Sequence, residues 1–249
     1  MMRARRRLAW TAAALVLGLV PGAALSQGAA SDTGSPFREG DRVPDLEVLP
    51  PADFYVADTR AEGGTVRLKF STTIWNAGEG PMEVWGAADG EDLRVRQVVH
   101  VADGSPRPVR PVGGFDFDHR HGHLHLTAFA RYELWRLEGG TPAALVAEND
   151  KVGFCLMDNL VVDEALAAED PTYGGCDADV QGISPGWGDL YVAQLYEQDI
   201  VIEGLPDGPY RVVNIANPGG DLAEASHANN ASHADVILRD GRVSLMTTD

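Results

Sequence analysis

The sequence predicts an all-β fold: a single β-sandwich-like domain with long loops and little helix. Short apolar or alternating runs recur along the chain, and clusters of Gly, Pro, Asp and Asn separate them, which is the pattern of paired short strands. The one stretch of helical composition, Asp163 to Glu169, is short. With 249 residues, of which 44% are hydrophobic, the chain can bury one sizeable core.

Five runs carry the strand prediction, because each is short and rich in β-branched, aromatic or alternating apolar residues. In chain order they are VRLKFSTTIWNAG from position 66, LRVRQVVHV from 93, LHLTAFARYELWRL from 124, DIVIEGL from 199 and YRVVNIA from 210. Glycine, proline and acidic residues between these runs predict the loops.

The first 42 residues are expected to lie outside the folded domain. Residues 1–26 have the basic start, apolar middle and small-residue end of a signal peptide, with cleavage after Ser26. Residues 27–42 are small and polar and predict a flexible leader, so the domain is expected over residues 43–249. The apolar stretch is too short to cross a bilayer, and no cysteine near the cleavage point could carry a lipid. We therefore expect a secreted protein with no membrane anchor.

The two cysteines, Cys155 and Cys176, are expected to form a disulfide, because exported proteins meet an oxidising environment. Closing a loop of this size stabilises a fold by roughly 3 kcal/mol. The bridge would enclose the stretch of helical composition described above.

The chain is strongly acidic, with a formal net charge of −17. Removal of the four arginines in the signal peptide takes this charge to −21 in the mature protein. Such a surface repels nucleic acid and anionic lipid and attracts cations and amines, so nucleic-acid binding is not expected. Lysine is rare, since Lys69 and Lys151 are the only two among 20 basic residues.

Four of the seven histidines occupy alternate positions in the run HRHGHLH from 119 to 125. On one extended strand, alternate side chains share a face. This predicts one face that carries His119, His121, His123, His125, Phe115 and Phe117, and an opposite face that carries Asp116, Asp118 and Arg120. Imidazole ligands suit Cu(II), Zn(II), Ni(II) or Fe(II), and a bend at Gly122 would let three of them reach one ion.

One familiar metal pattern matches this run in part. GGFDFDHRH has the glycine, five residues and His-x-His that open a cupin metal motif. That motif continues with a glutamate, whereas this chain has Leu124 and His125 at the corresponding positions. A cupin-like metal enzyme therefore stays an alternative with half of its motif.

A second pattern covers most of the chain from Val43 onward. In order, the blocks are HGHLHLTAFARYELWRL, DKVGFCLMD, CDADVQGISPGWGDLY, DIVIEGLPDGPYRV and NNASHADVIL. Together they resemble the catalytic domain of the lysyl oxidase family. The resemblance implies copper(II) bound by His121, His123 and His125, with His119 as an extra histidine beside them. The cysteines also match one disulfide of that family.

The resemblance further implies a cofactor made from the chain itself, lysine tyrosylquinone, formed from Lys151 and Tyr191. Asp189 matches the aspartate that is the usual candidate for the general base in that family, while an aspartate in the run GWGDLY could instead cap a turn. The implied activity is that of a copper-dependent amine oxidase. It converts primary amines, either peptidyl lysine or small amines, and dioxygen to aldehydes, ammonia and hydrogen peroxide. A lysine-rich protein would be a fitting partner for the acidic surface.

Besides the cupin-like enzyme, a second alternative keeps the fold without the catalysis. A secreted β-domain could bind metal through the histidines and form no quinone. A quinone stain of copper-loaded protein separates this β-domain from the amine oxidase.

Overall fold

The structure is a computed structural model that describes residues 35–89, 92–118, 123–127, 129–149, 153–176 and 179–246. These residues belong to one compact unit that begins at Ser35. The predicted signal peptide and the first part of the predicted leader lie outside the described residues, as do His119, His121 and Lys151. Across the described ranges, no helix has the length and apolar character needed to cross a membrane.

The described residues form β-strands joined by loops, with one short 3-10 helix at Arg60–Glu62. The strands are β1 (Asp41–Arg42), β2 (Leu46–Val48), β3 (Ala52–Asp58), β4 (Val66–Asn76), β5 (Met82–Asp89), β6 (Asp92–Val101), β7 (Pro106–Asp118), β8 (His123–Thr127), β9 (Ala130–Glu138), β10 (Thr141–Asn149), β11 (Gly153–Phe154), β12 (Leu160–Val161), β13 (Val180–Ile183), β14 (Trp187–Tyr191), β15 (Asp199–Val201), β16 (Gly208–Ala216), β17 (Ala231–Arg239) and β18 (Arg242–Leu245).

The strands build three antiparallel sheets, which confirms the predicted all-β class. The first sheet has the order β11-β8-β7-β6-β5-β13, with β1 beside β6. The second has the order β10-β9-β16-β17-β18. The third has the order β12-β14-β4-β15, with β2 and β3 also paired to β4.

The five runs predicted as strands all contain strands, and the structure adds detail to two of them. The run from position 124 divides into β8 and β9, which lie in different sheets. In the run from position 199, only the first three residues form a strand, β15, which pairs with β4. The stretch of helical composition forms one turn, in which the Asp163 carbonyl accepts from the Ala167 N–H at 2.9 Å. The Asp163 carboxylate caps that turn by accepting from the Ala165 N–H.

Sheet pairing begins just before the predicted start of the domain. Asp41 and Arg42, the last two residues of the predicted leader, form β1 and pair with Val101 and His100 of β6. The Asp41 carboxylate also accepts from Arg107, and this hydrogen bond lowers the carboxyl pKa. A salt bridge and a two-residue ladder therefore hold this end of the leader against the first sheet.

The third sheet depends on β4, which pairs with four other strands. Leu68, Phe70 and Ile74 of β4 are fully buried. The ring of Phe70 meets that of Tyr132, from β9, edge to face at 5.1 Å between centroids, which joins the second and third sheets in one core. Full burial of an aromatic side chain of this kind contributes roughly 1.5–3 kcal/mol.

The two ends of the first sheet approach each other. β11 and β13 are its outermost strands, yet the Gly182 N–H of β13 donates to the carbonyl of Leu156, two residues beyond β11, at 3.2 Å. The sheet is therefore strongly curled. This curl brings β13 to β8, the strand that carries His123 and His125, so that the Gln181 amide of β13 donates to the Leu124 carbonyl at 3.0 Å.

Candidate functional site

The histidine run lies at a strand reversal, so the prediction of one continuous strand is wrong. β7 ends at Asp118, β8 begins at His123, and the two strands are antiparallel neighbours. The chain therefore reverses direction between these residues. The polar, glycine-containing sequence HRHG favours such a connection over a continued strand, because strands disfavour glycine.

The predicted sharing of faces is also wrong. Directly opposite residues of an antiparallel pair lie on the same face of the sheet. Asp116 is opposite His125, and Phe117 is opposite Leu124. The imidazole of His125 thus shares its face of the sheet with Asp116. Phe117, which was predicted to lie on the histidine face, lies on the opposite face with Leu124.

His123 and His125 lie on one face of β8, and their side chains converge. Their Nε2 atoms are 2.8 Å apart, and their ring centroids are 4.7 Å apart. At this separation one ring can donate an N–H to the other, with the donor set by the tautomer. His125 is buried and His123 is partly buried.

This imidazole pair fits a shared metal ion. Two nitrogens that each bind an ion at about 2.0 Å are about 2.8 Å apart when they subtend an angle near 90°. The observed separation of the two Nε2 atoms matches that value. No group of three His, Cys, Asp or Glu side chains is assembled within the described part of the chain, and the predicted third ligand, His121, falls outside it.

Gly153 provides the space in which His125 sits. β11 pairs with β8 through Gly153 and Thr127. A Cβ built on Gly153 would lie 2.4 Å from the Cβ of His125 and 2.8 Å from its Nδ1. Lys151 comes two positions before this glycine in the sequence, outside the described residues.

Tyr191, the predicted quinone precursor, is buried at the end of β14. Its hydroxyl accepts from the Cys155 N–H at 2.8 Å and donates to the Cys155 carbonyl at 3.3 Å. Its ring lies against Phe154, with centroids 4.2 Å apart. Burial, and then the nearby charge of Asp189, raise the pKa of this phenol well above its usual value.

Asp189, the predicted base, lies two residues before Tyr191 on the same face of β14. It is fully buried, and its Oδ1 accepts from Asn159 Nδ2 at 3.2 Å. Asn159 also accepts from the Leu190 N–H at 2.7 Å, so one side chain holds both the carboxylate and the strand. The segment is extended, as a shared face requires, and Asp189 does not cap a turn.

The predicted disulfide between Cys155 and Cys176 is present. Its position matters because Cys155 is also the residue whose backbone holds the Tyr191 hydroxyl. The segment Gly153 to Cys155 therefore touches His125 at one end and Tyr191 at the other. It joins the two halves of the predicted site.

The sequence did not single out the residues that support this arrangement. Gly153 acts by lacking a side chain, and Asn159 and Gln181 act by bonding backbone groups far away in the sequence. Gln181 entered only as part of a recognisable block. No local pattern marks such residues, because their partners come together only through the sheet topology.

The segment Gly153 to Cys155 joins a pair of imidazoles to a buried phenol, and a buried carboxylate shares the strand face of that phenol. These groups define a candidate metal-binding redox site on an all-β scaffold. The family model for lysyl oxidase matches residues 83–248, which include every one of these side chains. The chain belongs to the lysyl oxidase family.

Curated relatives carry names from that family. Lysyl oxidase homolog 2 of Gallus gallus is 34% identical over 112 residues, which is 45% of this chain and 13% of that relative. Protein-lysine 6-oxidase of Homo sapiens is 31% identical over 135 residues, 52% of this chain and 29% of the relative. The protein of the same name from Rattus norvegicus is 30% identical over 135 residues, 52% of this chain and 30% of the relative. The chain thus matches less than a third of the length of these relatives.

Proposed function

We propose that this protein is a secreted copper-dependent amine oxidase that converts primary amines to aldehydes through a lysine tyrosylquinone cofactor. The observation that carries the proposal is the segment Gly153 to Cys155. It seats the imidazole of His125 and binds the hydroxyl of Tyr191 within three residues. Membership of the lysyl oxidase family supports the same class of reaction.

His123 and His125 would hold copper(II), together with His121. The convergence of the two Nε2 atoms supports this role for the first two. Burial of His125 would limit the access of water to a bound ion. The acidic Asp116 opposite His125 adds negative charge that favours a cation.

Tyr191 would form the quinone, with Lys151 as the residue linked to it. The phenol is held in place by Cys155 on its oxygen and by Phe154 on its ring. Burial raises the pKa of this phenol, which favours its protonated form in the folded protein. The chemistry that copper and the quinone supply when bound is the acceptance of two electrons from the amine and their transfer to dioxygen.

Asp189 would accept the proton that leaves the carbon next to the substrate nitrogen. It lies on the same face as Tyr191, and the Asn159 amide fixes the direction of its carboxylate. In the balanced reaction, one amine, one dioxygen and one water give one aldehyde, one ammonia and one hydrogen peroxide.

The expected substrates are peptidyl lysine or small primary amines. The acidic surface supports the choice of cationic partners, such as a lysine-rich protein. The names of the mammalian relatives point to protein lysine as their substrate. The disulfide supports export to an oxidising compartment.

The test is a search for the covalent link between Lys151 and Tyr191 in copper-loaded protein. Trypsin digestion after disulfide reduction should yield one joined peptide that contains both residues, and the protein should stain for quinone. Lys151→Arg and Tyr191→Phe should each abolish the joined peptide and peroxide production from a lysine-rich peptide. Lys69→Arg, which changes the other lysine of the chain, is the matched control and should keep both.

Free Lys151 and Tyr191 peptides in protein that binds copper and makes no peroxide would favour the non-catalytic metal-binding alternative. Peroxide production that survives Lys151→Arg would also contradict the quinone.

A further inference from the structure

Gln181 makes three hydrogen bonds from a completely buried position on β13. Its Oε1 accepts from the Leu156 N–H at 3.2 Å. Its Nε2 donates to the carbonyl of Leu124 at 3.0 Å and to that of Cys176 at 3.4 Å. One amide thus touches the histidine strand, the segment after Cys155 and the second cysteine.

The position of this amide interrupts a β-ladder. β11 and β8 pair antiparallel through Gly153 with Thr127 and Phe154 with Leu126. Continued in the same register, this ladder would place Leu156 opposite Leu124. Those two backbone groups instead bind opposite ends of the Gln181 amide. The side chain occupies the place of a direct N–H to carbonyl bond.

The inserted amide widens the gap between two strands beside the site. A direct ladder bond holds its nitrogen and oxygen about 2.9 Å apart. Here the Leu156 nitrogen and the Leu124 carbonyl oxygen are separated by two hydrogen bonds, of 3.2 Å and 3.0 Å, and by the width of the Gln181 amide. On β8 the widening occurs at Leu124, between His123 and His125. On the other side of the gap it occurs at Leu156, one residue beyond Cys155, whose N–H donates to Tyr191.

The amide is itself firmly held. The Gly182 N–H, next along β13, donates to the Leu156 carbonyl at 3.2 Å, so Leu156 is bound to β13 through both of its backbone groups. β13 is in turn paired with β5 over four residues. The position of Gln181 is therefore set by the sheet and not by the side chains of the site.

We propose that Gln181 is a positioning residue that sets the distance between the imidazole pair of β8 and Tyr191. It acts as a spacer: it keeps the Leu124 carbonyl of β8 apart from the Leu156 N–H, and so keeps β8 from closing on the segment around Cys155, which binds Tyr191. The inference rests on the proposed function, because the spacing matters only if a metal must reach both His125 and Tyr191. Gln181 touches no reacting atom and is not a catalytic residue.

The test compares two substitutions at position 181 with the same substitutions at position 97. Gln181→Met keeps the side-chain length and removes all three hydrogen bonds, whereas Gln181→Glu keeps an acceptor for the Leu156 N–H. Gln97 is the matched control, because it is also fully buried and bonds both backbone groups of Ala223, at 2.7 Å and 2.6 Å. Each variant is prepared as the full chain and loaded with copper.

Three quantities are measured: the unfolding temperature, the electron paramagnetic resonance spectrum of bound Cu(II), and the rate of formation of the Lys151–Tyr191 link. Gln181→Met should slow the link about 10–100-fold, the usual effect of a lost supporting residue at a metal site, and should change the copper spectrum. Gln181→Glu should recover part of the rate. Gln97→Met and Gln97→Glu should lower the unfolding temperature and leave spectrum and rate unchanged.

Equal rates and spectra in Gln181→Met and wild-type protein would overturn the inference, as would the same slowing in Gln97→Met. If Gln181→Met yields no folded protein, the comparison of Gln181→Glu with Gln97→Glu decides in the same way. A wild-type protein that forms no link would overturn the proposed function. The copper spectra of the variants would then still test the spacer, since the imidazoles of β8 bind the ion without the quinone.

Discussion

The imidazole of His125 lies against the backbone of Gly153, so closely that a Cβ at position 153 would come within 2.4 Å of the His125 Cβ. Real carbon atoms do not approach this closely without displacement. Glycine at this position is therefore a requirement of the imidazole pair, and not of a turn.

Gly153→Ala should displace His125 and weaken the binding of copper. The added methyl group forces a shift in a packed site, which typically costs about 1–3 kcal/mol of folding free energy. The measurements are a copper titration and urea denaturation. Gly174→Ala is the control, because no atom lies within 4 Å of a Cβ built there. Full copper binding in Gly153→Ala would contradict the role given to this contact.

His123→Ala and His125→Ala should each remove most of the bound copper, because their nitrogens converge on one point. Loss of one ligand from a site of this kind lowers affinity by at least the 10–100-fold typical of supporting residues. Copper content is measured by mass spectrometry after dialysis. His233→Ala, on β17 in another sheet, should keep its copper. His119→Ala should be milder than either, and equal losses at His119, His121, His123 and His125 would mean that the ligands are misassigned.

Asp189→Asn should slow turnover strongly and leave the cofactor in place. Asparagine has the same shape and cannot accept the substrate proton, and loss of a general base lowers kcat about 10²–10⁴-fold. Copper content and the Lys151–Tyr191 link should match wild type. Asp103→Asn, in an exposed turn, is the control for a lost carboxylate. Normal turnover in Asp189→Asn would assign the base to another residue.

The protein should lose stability as pH rises above about 10, the ordinary pKa of tyrosine. Burial raises the pKa of Tyr132, Tyr173 and Tyr191 in the folded protein. Their stabilisation is fully present below the unfolded pKa, and it is lost as pH rises towards the folded values, because only the unfolded chain then releases these protons. The loss is at most about 1.4 kcal/mol per pH unit for each group.

Urea denaturation of metal-free protein between pH 8 and pH 11 measures this slope. Tyr173→Phe removes one of the three groups from a position outside the site, in the disulfide loop, and should make the slope shallower. An unchanged slope in that variant would show that Tyr173 does not contribute.

The sequence was sufficient for the fold class, since strand runs alternate and turn residues separate them. It was also sufficient for the disulfide, because only two cysteines exist and they share one loop. These are properties of neighbours in the chain.

The arrangement of the histidines could not be read in the same way. Alternation alone fits one long strand through positions 115–125 as well as two strands joined by a reversal. Pairing of Asp116 with His125 decides between them, and that pairing depends on the rest of the sheet. For the same reason, Gln181 and Asn159 became recognisable only once β8, β13 and β14 were placed.

The position of Tyr191 has a consequence for the order in which the protein folds. β14 pairs with β4, and just beyond it the Ala193 N–H donates to Ser71 across 122 residues of sequence. The hairpin of β7 and β8 closes within a few residues, whereas the pairing of β14 must wait until most of the chain is available, and distant closures are slow. Newly made chains should therefore bring His123 and His125 together before β14 pairs with β4 and Tyr191 is anchored.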